Sequence, residues 1–121
     1  MNIPRILIAA PSSGSGKTVI SCGLMAAFCR QQKNVVSCKC GPDYIDPMFH
    51  REVLGIDSQN LDLFFCEKEQ LTGIFAEHAK NADLAVVEGV MGYYDGMGLD
   101  TAKASSYDVA AALQIPVVLV V

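Results

Sequence analysis

Residues 10–18, Ala-Pro-Ser-Ser-Gly-Ser-Gly-Lys-Thr, lie between an apolar run and a segment of helical composition. This is the context of a phosphate-binding loop, in which backbone N–H groups and the positive end of a helix face the phosphate oxygens. We therefore predict a Mg²⁺-nucleotide site in which Lys17 reaches the outer phosphates and the Thr18 hydroxyl ligates the metal. The residues that would contact the nucleotide are Ser12, Ser13, Gly14, Ser15, Gly16, Lys17 and Thr18. Pro11 replaces the glycine of the standard pattern, and the alternative is a plain Gly/Ser turn with a solvated lysine.

Two charged residues stand at the ends of apolar runs that are typical of strands. Lys39 lies near the end of Val35–Cys40, and Glu88 closes Ala82–Glu88. A buried charge is costly unless it is paired or bound to a metal. The carboxyl ends of parallel strands form the edge where α/β proteins bind ligands. We therefore predict that Glu88 shares a Mg²⁺ ion with Thr18, directly or through water.

Two loops next to these strands carry further polar candidates. Asp43 and Asp46 follow Lys39. A helix N-cap would explain Asp46 and a solvated turn would explain Asp43, but we favour a functional role for both because they follow a lysine at a strand end. The second loop, residues 89–98, is rich in glycine and is either a flexible connection or a lid or substrate wall. Its polar contacts would be Tyr93, Tyr94 and Asp95.

Composition and charge narrow the class of protein. The chain has 121 residues, a formal net charge of −4 and 51% hydrophobic residues, which suits one domain with a sizeable core. The acidic balance argues against a nucleic-acid partner, and no apolar run approaches the length of a membrane span. Five cysteines without a paired spacing predict reduced, mostly buried thiols and a cytoplasmic location. His78 is predicted to be a half-buried helix residue rather than a ligand.

Strands alternate with helices, which predicts an α/β fold with a mainly parallel sheet flanked by helices, like that of P-loop NTPases. The strands are predicted at Ile3–Ala10, Val35–Cys40, Ala82–Glu88 and Ile115–Val121, and the first, third and last are expected to be buried. The helices are predicted at Thr18–Gln32, Glu67–Asn81 and Ser105–Leu113, with a short helix from Asp46 to about Leu54. Residues 55–60 are predicted to be loop, and residues 60–65 have no clear assignment. Because the last strand runs to the final residue, we expect a fragment of a longer protein.

Four stretches resemble the successive motifs of the cobyrinic acid a,c-diamide synthase family, which belongs with dethiobiotin synthetase in one group of P-loop proteins. They are residues 10–18, Lys39-Cys-Gly-Pro-Asp-Tyr-Ile-Asp-Pro-Met-Phe-His50, Asn60-Leu-Asp62 and Val87-Glu-Gly-Val-Met-Gly-Tyr-Tyr-Asp-Gly96. The Gly-Pro-Asp-Tyr-Ile-Asp-Pro stretch is the most specific, since the loop lysine and threonine alone are generic. The resemblance runs over essentially the whole chain and implies the N-terminal part of a synthetase domain.

This resemblance implies a carbon–nitrogen ligase of cobalamin biosynthesis that uses ATP and Mg²⁺. Members of the family phosphorylate the a and c side-chain carboxylates of a cobyrinate-type tetrapyrrole, and ammonia then converts each acyl phosphate to an amide. Glutamine supplies the ammonia through a C-terminal glutamine amidotransferase domain, which is absent from these residues, so this part alone is expected to be inactive. A homodimer is left open as the assembly.

The resemblance also implies roles for individual residues. Lys39 would hold the substrate carboxylate or the transferring phosphoryl group, and Asp43 or Asp46 would add a contact to the metal. The expected catalytic residues are Lys17, Lys39, Asp43, Asp46 and Glu88, and the expected metal ligands are Thr18, Asp43 and Glu88. The expected substrate contacts are Tyr44, Ile45, Tyr94 and Asp95.

Four alternatives stay open at this point. A related amidase could act on another tetrapyrrole, such as nickel sirohydrochlorin, and the motifs in these 121 residues do not distinguish that amidase from the cobyrinate enzyme. Dethiobiotin synthetase shares the phosphate-binding loop and the arrangement of metal ligands, but the Gly-Pro-Asp-Tyr-Ile-Asp-Pro stretch is not expected in it. A partitioning ATPase would carry a lysine early in the loop, where this chain has Ser12. An iron–sulfur reductase subunit would need cluster cysteines past strand ends, and only Cys40 comes close.

Overall fold

A computed structural model describes residues 2–12, 16–41, 51–52, 54–62, 67–90, 92–93 and 105–121. Within these ranges the strands are β1 (Arg5–Ala9), β2 (Val35–Cys40), β3 (Ser58–Leu61), β4 (Leu84–Glu88) and β5 (Val117–Leu119). The complete helices there are α1 (Lys17–Arg30), α2 (Lys68–Ala79) and α3 (Ser106–Leu113). The strands form one sheet in the order β3-β2-β4-β1-β5, and every pairing is parallel. The predicted α/β fold with a mainly parallel sheet is thereby confirmed.

Helices cover both faces of the sheet, because strand side chains alternate between the two sides. On one side, Leu7 and Val87 lie in a buried cluster with Phe75 of α2 and Leu113 of α3. On the other side, their neighbours in sequence form a second cluster with α1, which includes Ile8, Val86 and Met25. Lys39 and Glu88 fall on this second side, since each is an even number of residues from a member of that cluster on its own strand. The strand order thus places both charged residues at the carboxyl ends of neighbouring strands, on the face of the sheet that α1 covers.

The structure corrects the reading of residues 55–65. We predicted a loop followed by an unassigned segment, whereas Ser58–Leu61 forms β3 and pairs in parallel with β2. Ser58, Gln59 and Asn60 are not strand formers, so local propensity gave no signal. Pairing with β2 supplies the backbone hydrogen bonds instead, and only Ser58 and Leu61 of this strand are buried.

Two predictions of burial were wrong. Strand β5 lies at an edge of the sheet, and its three residues are 36–49% exposed rather than buried. The apolar and small residues of α1 lie on nearly all sides of the helix, which predicts that much of it is buried, but only Lys17, Ser21 and Met25 are buried. These three lie four residues apart, so one stripe of the helix faces the sheet and Val19 on another side is 77% exposed.

In the described ranges, each helix is too short or too polar to cross a lipid bilayer. For the short helix predicted from Asp46 to Leu54, residues 42–50 and 53 lie outside the described residues, and Arg51 and Glu52 are helical.

Candidate functional site

The residue before α1 has a backbone conformation that glycine adopts without strain. Gly16 is the residue before the helix and has φ 90° and ψ 18°, a left-handed conformation that a side chain would strain. Its carbonyl accepts the first helical hydrogen bond from Ile20 N at 3.1 Å. The helix begins at Lys17, one residue before the predicted start, and the Lys17 side chain is largely buried. Of the other predicted loop contacts, Ser12 lies in an exposed bend, and Ser13, Gly14 and Ser15 lie outside the described residues.

Three predicted site residues meet at the carboxylate of Glu88, at the end of β4. The Thr18 hydroxyl donates a hydrogen bond to Glu88 Oε1 at 2.7 Å. Lys39 Nζ lies 3.4 Å from the same oxygen and donates to the backbone oxygen of Gly89 at 3.2 Å. Lys39 and Glu88 are direct neighbours across the parallel pair of β2 and β4, and both are buried. Neighbouring strands and the loop–helix junction therefore bring a hydroxyl, an ammonium and a carboxylate together.

The Glu88 carboxylate has one oxygen available for a further ligand. Glu88 Oε2 is buried and makes no hydrogen bond to any part of the chain that the structure describes. A buried carboxylate oxygen without a partner is unfavourable, and a cation would satisfy it. The described residues contain no group of three or more His, Cys, Asp or Glu that could form a metal cage. The hydroxyl of Thr18 and the carboxylate of Glu88 form a donor set that suits Mg²⁺, which usually combines one or two carboxylates with phosphate oxygens and water.

The segment after β4 is packed tightly against β1 and α3. Gly89 N donates to Ile8 O at 2.8 Å, and a Cβ at Gly89 would lie 2.9 Å from Ser106 Oγ and 3.2 Å from Ile8 O. The fully buried Ser106 hydroxyl accepts from Val90 N at 2.9 Å and lies 3.3 Å from Val90 O. Only glycine fits at position 89, and its backbone oxygen is thereby held where Lys39 reaches it.

Tyr93 ties the beginning of the predicted lid loop to two elements. Its N–H donates to Ala10 O at 2.8 Å, and its carbonyl accepts from Tyr107 N at 2.9 Å. The two tyrosine rings meet edge to face at a centroid distance of 5.8 Å. Tyr93 is therefore a structural anchor between the phosphate-loop strand and α3. Tyr94 and Asp95 lie outside the described residues, so their roles stay predictions.

The remaining candidates divide between described and undescribed residues. Asp43, Tyr44, Ile45 and Asp46 lie outside the described residues. Gly41 follows the end of β2, with φ 79° and its N–H donating to Leu61 O. His78 lies in α2 and is half-buried, as predicted, and its Nε2 lies 3.0 Å from Ser37 O.

Sequence reasoning missed Ser106. Ser105, the first residue of the predicted helix, is its N-cap, since Ser105 Oγ accepts a hydrogen bond from Asp108 N at 3.3 Å. The neighbouring Ser106 carries the contact to the segment after β4. A serine directly after an N-cap residue is also common where the first helical turn faces solvent. The residue type of Ser106 therefore gave no signal for its contact with Val90.

None of the four cysteines that the structure describes forms a disulfide. Cys38 and Cys40 are fully buried, whereas Cys22 is half-buried and Cys29 is exposed, so the prediction of mostly buried thiols holds for two of these four. Burial raises the pKa of Cys38 strongly and that of Cys40 to about 12, although a hydrogen bond to Ser106 and the charge of Lys39 partly offset the rise at Cys40. Both thiols therefore stay neutral and are packing residues of the core.

Comparison with known proteins agrees with this geometry. Residues 6–118 match the family described as the CobQ/CobB/MinD/ParA nucleotide binding domain. Among solved structures, the signal recognition particle 54 kDa protein of Aeropyrum pernix in complex with GDP superposes with a TM-score of 0.65. That match has 18% identity and covers 98% of this chain and 29% of that one, so it bears on the fold alone.

Curated relatives are more similar in sequence. The hydrogenobyrinate a,c-diamide synthase of Streptomyces coelicolor is 50% identical over 98% of this chain and 24% of its own length. The cobyrinate a,c-diamide synthases of Methanocaldococcus jannaschii and Listeria innocua are 46% and 45% identical over 100% and 97% of this chain. The chain covers 27% and 26% of those two proteins, so it spans about a quarter of the length of these relatives. The family match over residues 6–118 and the parallel α/β fold show that this chain belongs to the CobQ/CobB/MinD/ParA nucleotide-binding domain family.

Proposed function

We propose that this chain is the ATP-binding part of a ligase that amidates the a and c side-chain carboxylates of a cobyrinate-type tetrapyrrole, in cobalamin biosynthesis and in the cytoplasm. The observation that carries the proposal is the buried Glu88 carboxylate, with Thr18 and Lys39 on one oxygen and the other oxygen open. The family is a nucleotide-binding one, and relatives with 41–50% identity are named for this reaction.

The chemistry requires two anions to approach each other, a substrate carboxylate and the terminal phosphate of ATP. Attack of the carboxylate oxygen on that phosphorus would release ADP and give an acyl phosphate, from which ammonia would displace phosphate to form the amide. Glutamine is the proposed source of the ammonia. Bound Mg²⁺ would supply positive charge at the phosphates. The chain would lower the remaining repulsion with the Lys17 ammonium and the N–H groups at the start of α1.

Each residue near Glu88 has a proposed task. Thr18 and Glu88 would hold Mg²⁺, with Asp43 or Asp46 as a further contact. Lys39, on the neighbouring strand, would hold the substrate carboxylate or the transferring phosphoryl group. On the substrate side we propose Tyr44, Ile45, Tyr94 and Asp95.

The proposal is tested by measuring ADP release from the full gene product with Mg²⁺, ATP and glutamine, with and without cobyrinic acid. We expect the tetrapyrrole to stimulate ADP release and two amides to form per molecule, detected by mass spectrometry. ATP turnover that no carboxylate substrate changes would overturn the amidase assignment.

A second tetrapyrrole has a specific observation in its favour. The relative with 50% identity is named for hydrogenobyrinate rather than cobyrinate. A parallel assay with hydrogenobyrinic acid therefore belongs in the same experiment. Preferential stimulation by that compound would keep the reaction and change the substrate.

A further inference from the structure

We propose that Lys39 and Mg²⁺ compete for the Glu88 carboxylate, so that loading of the metal releases the lysine. The inference rests on the proposed function and adds a coupling within its site. Under it, Lys39 becomes available to an anionic substrate only after the metal has bound.

The first supporting observation is the ion pair itself. Lys39 Nζ lies 3.4 Å from Glu88 Oε1, and the two side chains are 6% and 1% exposed. An ion pair removed from water in this way is held by charge attraction that solvent screens only weakly. The lysine therefore neutralises much of the negative charge that a metal ion would need.

The second observation is the division of contacts on the carboxylate. Thr18 and Lys39 both contact Oε1, and Oε2 makes no hydrogen bond within the described chain. A divalent ion held by Thr18 and Glu88 would share this single carboxylate with the ammonium. Like charges that share one counter-charge repel each other, so each cation weakens the binding of the other.

The third observation is that Lys39 has another anchor. Its ammonium donates to Gly89 O at 3.2 Å, and this oxygen is fixed by the packing of residue 89 against Ser106 and Ile8. A lysine has three donors on a flexible stem. It can therefore leave Glu88 without losing every polar contact.

Competition of this kind is reciprocal, and its size is measurable. Lys39→Met removes the competing charge, so the Mg²⁺ concentration that half-saturates binding should fall, on the order of five- to 100-fold for a typical coupling between sites. The probe is a fluorescent ADP analogue bound to the full gene product, titrated with Mg²⁺. ADP is chosen because it lacks the terminal phosphate, which Lys39 is proposed to contact.

The chain offers a matched control. Lys80 pairs with Glu77 at 2.9 Å, but both side chains are largely exposed. Lys80→Met removes an equal charge from the surface and should leave the Mg²⁺ dependence unchanged. Lys39→Gln, whose amide can still donate to Gly89 O, replaces Lys39→Met if the methionine variant does not fold.

A second measurement needs no substitution. Reductive methylation of lysines in the wild-type protein is quantified by mass spectrometry with ADP present, in Mg²⁺ and in EDTA. Lys39 should be methylated several times faster in Mg²⁺, and Lys80 should react equally in both.

The outcomes separate this inference from the proposed function. Mg²⁺-dependent ADP binding with equal half-saturation in the wild type and in the Lys39 variants, or equal methylation of Lys39 in both conditions, overturns the competition alone. Absence of Mg²⁺-dependent nucleotide binding in the wild type overturns the proposed site, and the competition with it.

Discussion

Replacing Gly89 by alanine tests whether the packing behind the site is as tight as the structure indicates. The new Cβ would lie 2.9 Å from Ser106 Oγ and 3.2 Å from Ile8 O. Neither neighbour can easily move away. Ser106 is fully buried and bonded to Val90, and Ile8 O accepts the Gly89 N–H inside the sheet.

The magnitude follows from this overlap. One extra methyl group forced into a well-packed region costs about 1–3 kcal/mol of unfolding free energy. With a urea slope of about 1–3 kcal/mol per molar, the midpoint of unfolding should fall by roughly 1 M. The substitution would also displace Gly89 O and the adjacent Glu88. We therefore expect ADP release by the full gene product to fall by about tenfold or more, since misplacement by about 1 Å can cost 100-fold.

The assay is urea unfolding followed by circular dichroism, with two companions for Gly89→Ala. Gly73→Ala is the control, because Gly73 lies in α2 and an added Cβ would meet no atom within 4 Å beyond the backbone of its own helix, so this variant should be more stable by about 0.5–1 kcal/mol. Ser106→Ala removes the nearest clashing oxygen. The double variant with Gly89→Ala and Ser106→Ala should therefore be more stable, by at least about 0.5 kcal/mol, than the sum of the two single changes in unfolding free energy predicts. If the unfolding free energy of Gly89→Ala lies within about 0.5 kcal/mol of the wild-type value, the inferred tight packing at residue 89 is refuted.

Three further predictions concern the nucleotide site, the thiols and the core. Lys17→Ala should abolish ATP turnover while the circular dichroism spectrum stays native, and near-normal turnover would contradict the loop assignment. Cys38 and Cys40 should resist a thiol reagent between pH 7 and 9 in the native protein, whereas the exposed Cys29 reacts. Because the folded state keeps these two thiols protonated after unfolded thiols ionise, the unfolding free energy should fall as the pH rises above about 8.5, which urea titrations at several pH values would measure. Phe75→Ala should lower the unfolding free energy by about 3–5 kcal/mol, since Phe75 is fully buried, and a loss below 1 kcal/mol would place it outside the core.

The sequence predicted those parts of the fold that depend on local pattern. The predicted bounds of β1, β2 and β4 agree with the structure within two residues at each end, because the apolar runs of these strands are nearly continuous. The convergence of Thr18 and Glu88 was also predictable, since the carboxyl ends of parallel strands share one edge of the sheet.

The parts that sequence reasoning missed depend on tertiary contacts. The polar β3 forms because β2 offers it a pairing edge, and β5 is exposed because no strand in the described chain lies beyond it. Lys39 was expected to face a ligand, whereas its direct pairing with Glu88 follows from the register of two strands that are distant from each other in the chain. Ser106 was missed because its partner is backbone from another element.

The pairing of Lys39 with Glu88 also bears on how the chain folds. Strands β2 and β4 consist largely of apolar residues, and such strands hold few cues that distinguish one alignment from another. A slip of two residues would keep the apolar sides in place, but it would set Glu88 opposite Ser37 or Gly41. Each buried charge would then lose its partner, at a cost of about 3–5 kcal/mol. Lys39 and Glu88, which we propose to bind ligands, thus also favour the native alignment of β2 and β4 during folding. Apolar replacements at both positions would remove this preference for the native alignment as well as the candidate site.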